Sequence, residues 1–113
     1  MGIDSFDDLL AHPVLGASWE TLVIENVITA MPGWEPFFYR TAAGAEIDLL
    51  LVRGRRKLAI ECKSSAAPKI SRGFWSSIEE LGIEKAWVIA PVKDSYPIAD
   101  NVMVSPLSDF RGE

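Results

Sequence analysis

The stretch EIDLLLVRGRRKLAIECKSS, residues 46–65, restricts the possible folds of this chain more than any other. Two runs with strong β propensity flank a Gly-Arg pair, which is typical of a β-hairpin with a two-residue type II′ turn. Strands that enter a core rarely carry charge. This pair carries Glu46 and Asp48 on its first strand and Glu61 and Lys63 on its second, all at the end away from the turn. The fold must accommodate these charges inside a sheet.

The length of the hairpin loop decides which of these charges face each other. A two-residue loop places Asp48 opposite Glu61 and Glu46 opposite Lys63. A four-residue loop preserves the same two faces but places Asp48 opposite Lys63. A three-residue loop mixes polar and apolar residues on both faces, so the hydrophobic pattern favours an even loop.

An even loop sorts the side chains of the hairpin into two faces. One face is aliphatic and contains Ile47, Leu49, Leu51, Leu58, Ile60 and Cys62. The other face contains the acids, Lys63 and an apolar end that we expect a helix to cover, formed by Leu50, Val52 and Ala59. Directly opposed Cβ atoms lie about 5 Å apart, so a carboxylate pair on this face would be in close proximity.

Two carboxylates that close repel each other, and they either share a proton or bind a cation. Mg²⁺ or Mn²⁺, hard dications with oxygen ligands, would remove the conflict. The alternative is an ordinary cross-strand ion pair between Glu46 and Lys63 on a solvated face. Glu20 shares a predicted helix face with Val23 and Val27 and needs a partner where that helix meets the sheet, either a shared cation or Lys63. The alternative is that Glu20 is a boundary residue that reaches solvent.

The remaining pattern predicts an α/β fold with element order α-β-β-β-α-β. We expect a mixed central sheet with helices on both faces. Residues 1–113 form a single domain, with a core at about 11–92 and a C-terminal strand and tail at 93–113. The elements are a helix at about 14–31, strands at about 36–41, 46–53 and 57–64, a helix at about 71–81, and strands near 85–92 and 101–107.

Composition narrows the functional classes. The net charge of −5 argues against a strongly basic nucleic-acid binder. The sequence has one cysteine and one histidine, which argues against a Cys/His metal site. There is no apolar run of about 20 residues and no secretory signal, so we expect no membrane contact and a cytoplasmic location.

The motif Asp48, then Glu61-Cys62-Lys63, with Glu20 on the preceding helix, resembles the PD-(D/E)XK restriction-endonuclease-like superfamily, although Ile47 stands where the motif has proline. Over about residues 11–92 the chain most closely resembles the C-terminal domain of unknown function in a family of prokaryotic AAA-type ATPases. The segments that carry this resemblance are HPVLGASWETLVIENVI, FFYRTAAGAEIDLLL, AIECKSSAAPKISRGF and AWVIAPV. No Walker A loop occurs in the sequence, so the ATPase part is absent.

The resemblance implies roles for these residues. Asp48, Glu61 and the backbone carbonyl of Cys62 would bind Mg²⁺ or Mn²⁺, with Glu20 or Glu46 as a further ligand. Lys63 would orient or help to deprotonate the attacking water, and Glu20 would assist. The activity implied is metal-dependent endo- or exonuclease cleavage of DNA, in a domain attached to an AAA-type ATPase.

Substrate contact requires positive charge, and Lys69, Arg72 and Arg40 are the candidates for contacting nucleic acid. The alternative function is a catalytically silent nuclease-fold module that binds nucleic acid or protein and regulates the ATPase. A third interpretation is a plain α/β domain with a cross-strand ion pair. The sequence leaves the oligomeric state open.

Overall fold

The computed structural model describes residues 15–42, 44 and 46–111. The predicted helix start at 14, the lead-in before it and the last two residues lie outside this range. Helix α1 spans Leu15–Ala30 and helix α2 spans Arg72–Leu81. The strands are β1 (Glu35–Arg40), β2 (Glu46–Arg53), β3 (Arg56–Cys62), β4 (Lys85–Ile89), β5 (Tyr96–Ala99) and β6 (Val102–Ser105), and a 3₁₀ turn follows at Leu107–Asp109.

The six strands form one mixed sheet in the order β1-β2-β3-β4-β6-β5. The pairs β1/β2, β2/β3 and β5/β6 are antiparallel, whereas β3/β4 and β4/β6 are parallel. A parallel neighbour requires a crossover connection, and α2 provides the one between β3 and β4. The prediction of a single α/β domain with a mixed sheet is therefore confirmed.

The core divides into two clusters of buried side chains, one associated with each helix. Val23 and Val27 of α1 pack with Leu49 and Leu58 of the hairpin. Phe74 and Ile78 of α2 pack with Leu50 and Ala59, as predicted for the apolar end of the polar face. Burying a side chain of this size contributes about 1.5–3 kcal/mol, so these two layers fix the hairpin between the helices.

The hairpin has an even loop, as predicted, and of the two even lengths left open it has the two-residue one. Arg53 pairs with Arg56, and the same register runs to the pair Leu49 and Ile60. Gly54 has φ 62°, and no non-glycine residue in the described range has positive φ. A positive φ at the first turn position alone is what a type II′ turn requires.

Strand β2 contains an irregularity that the sequence did not reveal. Phe37 pairs with Leu50 and Tyr39 pairs with Ile47, so three steps along β2 match two steps along β1. One extra residue in one strand of a pair is a β-bulge, which bends the strand and redirects its side chains. Ile47 accordingly lies in the α2 cluster. The prediction that Ile47 shares a face with Leu49 and Leu51 was therefore wrong.

The segment after residue 92, predicted as a strand and tail, contributes two strands to the sheet. The predicted final strand is β6, which lies between β4 and β5 and buries Val102 and Val104. Strand β5 was not predicted, because YPIA is short and contains Pro97, which is tolerated at the edge of a sheet.

Helix α2 begins and ends as its sequence indicates. The Ser71 side chain accepts a hydrogen bond from the Phe74 backbone N–H, and Gly82 terminates the helix with φ 65°. In the described part of the chain, neither helix has the length and apolarity needed to cross a bilayer.

Candidate functional site

The candidate site lies where strands β2 and β3 separate. Their backbone pairing reaches Leu49 and Ile60, and beyond it the Cys62 N–H donates a hydrogen bond to Asp48 Oδ2 at 2.8 Å. The Lys63 N–H donates to the Ile89 carbonyl of β4 at 3.0 Å. The bulge in β2 lies at this same point. A carboxylate therefore replaces a backbone partner here, and the strand ends open into a cleft.

Glu61 is the most buried acid of the site, with only 4% of its surface exposed. Its Oε1 is buried and has no hydrogen-bond partner among the described residues. Its Oε2 lies 3.8 Å from Lys63 Nζ, an ion pair of long separation. Burial above all, and then the adjacent Asp48 carboxylate, raise the pKa of Glu61 to about 9. A carboxylate buried in this way is costly unless a positive charge neutralises it.

Glu20 joins this pair from α1. It is partly buried, and the same cleft is lined by Asp48 and Glu61. Burial first, and then the neighbouring Asp48 carboxylate, raise the pKa of Glu20 above its ordinary value. The structure therefore brings together the helix acid and the two strand acids that the sequence singled out.

Glu46 pairs with Arg40 and not with Lys63, the partner that one of the two alternatives gave it. Its Oε2 lies 3.1 Å from Arg40 Nε, and the two residues face each other across β1 and β2. The reason is the separation of β2 from β3 beyond Leu49, which leaves Glu46 paired with β1 alone. Glu46 still borders the cleft, and its charge contributes to raising the pKa of Glu61.

Cys62 behaves as the small core residue that the sequence predicted. Its side chain packs against the α1 cluster. Burial and the surrounding carboxylates raise the pKa of its thiol, so it remains protonated and is a poor nucleophile. Its contribution to the site is the backbone N–H that holds Asp48.

Two adjoining clefts border these acids. A cleft of about 250 Å³ is lined by Trp19, Glu20, Glu46, Asp48, Glu61, Cys62, Lys63 and Ser64. A second cleft of about 540 Å³ shares Glu20, Glu46 and Asp48 and extends over Phe38 and Arg40 of β1. A larger cleft, of about 860 Å³, has Arg111 as its one ionisable lining residue, so it offers little chemistry.

The three predicted nucleic-acid contacts lie in different positions. Arg40 borders the second cleft and forms an ion pair with Glu46. Lys69 lies on the loop before α2, and Arg72 is the first residue of that helix. Both are exposed, and neither lines a cleft that contains Asp48.

Across the described residues, no group of three or more Cys, His, Asp or Glu side chains forms a ready metal-binding cluster. The predicted ligand set is Asp48, Glu61 and the backbone carbonyl of Cys62, with Glu20 or Glu46 as a further ligand. Mg²⁺ usually binds through one or two carboxylates and keeps several waters.

The fold and the cleft define a small α/β domain with an acidic site at the open end of a hairpin. The chain belongs to the family described as "Domain of unknown function (DUF4143)", whose model matches residues 15–110. The expected resemblance to a domain of unknown function is thus confirmed.

Two mycobacterial proteins are similar to this chain. They are "Uncharacterized protein Rv2008c" of Mycobacterium tuberculosis and "Uncharacterized protein Mb2031c" of Mycobacterium bovis. Each is 31% identical over 106 residues, which cover 94% of this chain and 24% of the relative. The chain therefore spans about a quarter of the length of these relatives.

One solved structure has a similar fold. It is a half-complex from a tetradecameric assembly of Thermococcus gammatolerans McrB AAA+ hexamers with bound McrC. The match has a TM-score of 0.52 at 8% identity and covers 80% of this chain and 27% of the other. At this identity the likeness concerns the fold alone.

Proposed function

We propose that this domain is a metal-dependent phosphodiesterase of the PD-(D/E)XK type, with a restriction-endonuclease-like core, that cleaves DNA at the open end of the hairpin. Asp48 and Glu61 are its metal ligands, together with the Cys62 carbonyl, and Lys63 is the residue next to the attacking water. The observation that carries the proposal is the buried Glu61 carboxyl beside the Asp48 carboxylate, with an Oε1 that has no hydrogen-bond partner in the described part of the chain.

The residues at the site suit a hard dication. The donors are carboxylate and carbonyl oxygens, which Mg²⁺ and Mn²⁺ prefer. Four carboxylates border the cleft of about 250 Å³, against one lysine. A cation would supply the positive charge that a buried Glu61 carboxylate requires, and it would lower the pKa of Glu61 toward its ordinary value. Bound there, Mg²⁺ would polarise a phosphodiester and acidify a bound water.

The chain's own groups position the reactants. The Cys62 N–H holds Asp48 Oδ2 at 2.8 Å, which fixes that carboxylate at the mouth of the cleft. Lys63 is half-buried with its Nζ 3.8 Å from Glu61, so its ammonium can donate to a phosphate oxygen or to the attacking water and orient it. Glu20 contributes a further carboxylate, oriented by α1, and is a candidate to hold a water.

An AAA-type ATPase is the partner we propose for this domain. The two mycobacterial relatives are about four times longer than the matched region, so they have room for another module. The fold likeness to a chain of an assembly that contains AAA+ hexamers supports the same association. A motor attached to the domain would deliver nucleic acid to the site.

The acidic charge favours a second candidate, a silent binding or regulatory module of that ATPase. The net charge is −5, and Lys69 and Arg72 lie outside the clefts that contain Asp48. A nuclease requires cations to approach the phosphate backbone, and this site has few of its own.

Two measurements separate these functions. Calorimetric titration with Mn²⁺ should give saturable binding to the wild-type chain that is lost in both Asp48→Asn and Glu61→Gln. Cleavage of supercoiled and single-stranded DNA should require the metal and fall about 100-fold or more in Lys63→Ala, since general acid-base groups contribute about 10²–10⁴-fold.

Glu25→Gln is the matched control, because Glu25 lies on the exposed side of the helix that carries Glu20. It should leave both metal binding and cleavage unchanged. Metal binding without cleavage of any DNA would favour the silent module. Absence of saturable metal binding in the wild type would overturn the phosphodiesterase proposal.

A further inference from the structure

The most exposed large hydrophobic side chain in the described part of the chain is Phe38, 78% of whose surface is open to solvent. It lies on β1, an edge strand, in which five of six residues are exposed. Single exposed hydrophobic side chains are common on protein surfaces, so Phe38 indicates a binding surface only together with the groups around it.

Phe38 is adjacent to the acids of the candidate site. The β1/β2 pairs on either side of it are Phe37–Leu50 and Tyr39–Ile47, so Phe38 lies opposite the bulge formed by Asp48 and Leu49. Neighbouring strands are about 4.8 Å apart. Phe38 lines the cleft of about 540 Å³ together with Glu20 and Asp48.

Arg40 lines the same cleft two residues further along β1. Its side chain is 82% exposed, and its Nε lies 3.1 Å from Glu46. A guanidinium has five N–H donors, so one ion pair leaves others available for a phosphate. One cleft therefore combines an aromatic residue, a guanidinium and a group of carboxylates.

We infer that this cleft is a subsite for one unpaired nucleotide of a single-stranded nucleic acid, whose base stacks on Phe38 while Arg40 contacts its phosphate. The inference rests on the proposed function for the identity of the neighbouring site. Every base has a π-face, and stacking on an aromatic side chain is tolerant of sequence.

The geometry favours a single strand over a duplex. A base inside a duplex has both faces covered by its neighbours and cannot stack on Phe38 unless it leaves the helix. Phe38 and Asp48 lie on adjacent strands and line the same cleft, so a nucleotide whose base stacks on Phe38 would lie beside the carboxylates.

Fluorescence anisotropy with labelled oligodeoxythymidine, oligouridine and a duplex of matched length tests the inference. The assay is run with the full chain in Ca²⁺, which accepts the same oxygen ligands, and again in EDTA. Single strands should bind more tightly than the duplex. Phe38→Ala should weaken single-strand binding about tenfold, and Phe38→Trp should restore it. The deoxy and ribo probes show which sugar the subsite prefers.

Phe37→Ala is the matched control. Phe37 is the neighbouring phenylalanine on the same edge strand, is 45% exposed and does not line the cleft. It should bind within about twofold of the wild type, because surface changes away from a site have small effects. An oligonucleotide with one 2-aminopurine should lose fluorescence on binding to the wild type and not to Phe38→Ala.

Equal binding by the wild type and Phe38→Ala, or equal losses in Phe37→Ala and Phe38→Ala, would overturn the inference. So would a wild-type dimer that dissociates in Phe38→Ala, since a second copy would then cover the ring. If Mn²⁺ still binds at Asp48 in these cases, only the subsite fails. If binding depends on Phe38 but no metal binds, only the phosphodiesterase fails.

Discussion

The two ends of the β2/β3 hairpin carry similar numbers of charged side chains but place them in opposite environments. At the turn end, Arg56 Nε donates to Glu84 Oε1 at 3.1 Å, and Lys57 Nζ donates to the Leu81 carbonyl at 3.1 Å. At the open end, Glu61 is buried with an oxygen that has no partner among the described residues.

The difference shows which charges stabilise the fold and which do not. Exposed ion pairs such as Arg56–Glu84 are satisfied by each other and by water. The open end instead holds carboxylates together, and burial and mutual repulsion raise the pKa of Glu61. At the turn end, the pairing of β2 with β3 follows from the alternation of side chains in the sequence. The open end requires the strands to separate, which makes it the candidate for function.

Replacing the buried acid should have the larger effect on stability. The pKa of Glu61 is raised to about 9, so the folded chain keeps a proton that the unfolded chain releases above its ordinary pKa of 4.5. Metal-free wild-type protein should therefore lose stability as pH rises from about 5 to about 9. In Glu61→Gln the part of this loss that Glu61 causes should be absent. Because one pKa unit corresponds to about 1.4 kcal/mol, the variant should be more stable than the wild type near pH 9 by up to about 6 kcal/mol.

Urea unfolding in EDTA at several pH values measures this effect. Glu79→Gln is the control, since Glu79 is exposed on α2 and should leave the pH dependence as in the wild type. If Glu61→Gln and the wild type show parallel pH profiles, Glu61 does not carry an unusual proton and the contrast between the two ends is lost.

Breaking the ion pair of the turn end should have the smaller effect. Arg56 lies over the Trp34 ring at 5.1 Å as well as against Glu84, and its side chain is 41% exposed. Arg56→Ala should lower the melting temperature by about 5 °C or less and leave Mn²⁺ binding unchanged. Differential scanning calorimetry at low and high salt checks this, because a screened pair should matter less in salt. A loss of stability in Arg56→Ala that exceeds the change in stability in Glu61→Gln would contradict the comparison.

The sequence predicts local features of this fold well. The parity of the loop restricted the hairpin to two registers, of which the Gly-Arg pair favours the one observed, and Ser71 and Gly82 marked the ends of α2. The proximity of Asp48 and Glu61 followed from the same alternation. These inferences depend on residues close in sequence or on a fixed period of two.

Features that depend on a third element could not be predicted. The bulge opposite Phe38 arises from the pairing of β2 with β1, and the hairpin pattern contains no signal for it. It moved Ile47 to the α2 cluster and accompanied the pairing of Glu46 with Arg40. The exposure of Phe38 depends on which strand is left at the edge. An apolar residue in a strand pattern is otherwise expected to be buried.

The most direct test of the central claim is the number of protons released when Mg²⁺ or Mn²⁺ binds. Metal ligands must be deprotonated, so a buried Glu61 with a pKa of about 9 has to give up its proton. Calorimetric titration at neutral pH in buffers of different ionisation enthalpy should show about one proton released per metal bound by the wild type. In Glu61→Gln, binding and release should both disappear. Saturable binding by the wild type without proton release, or no binding, would contradict the account.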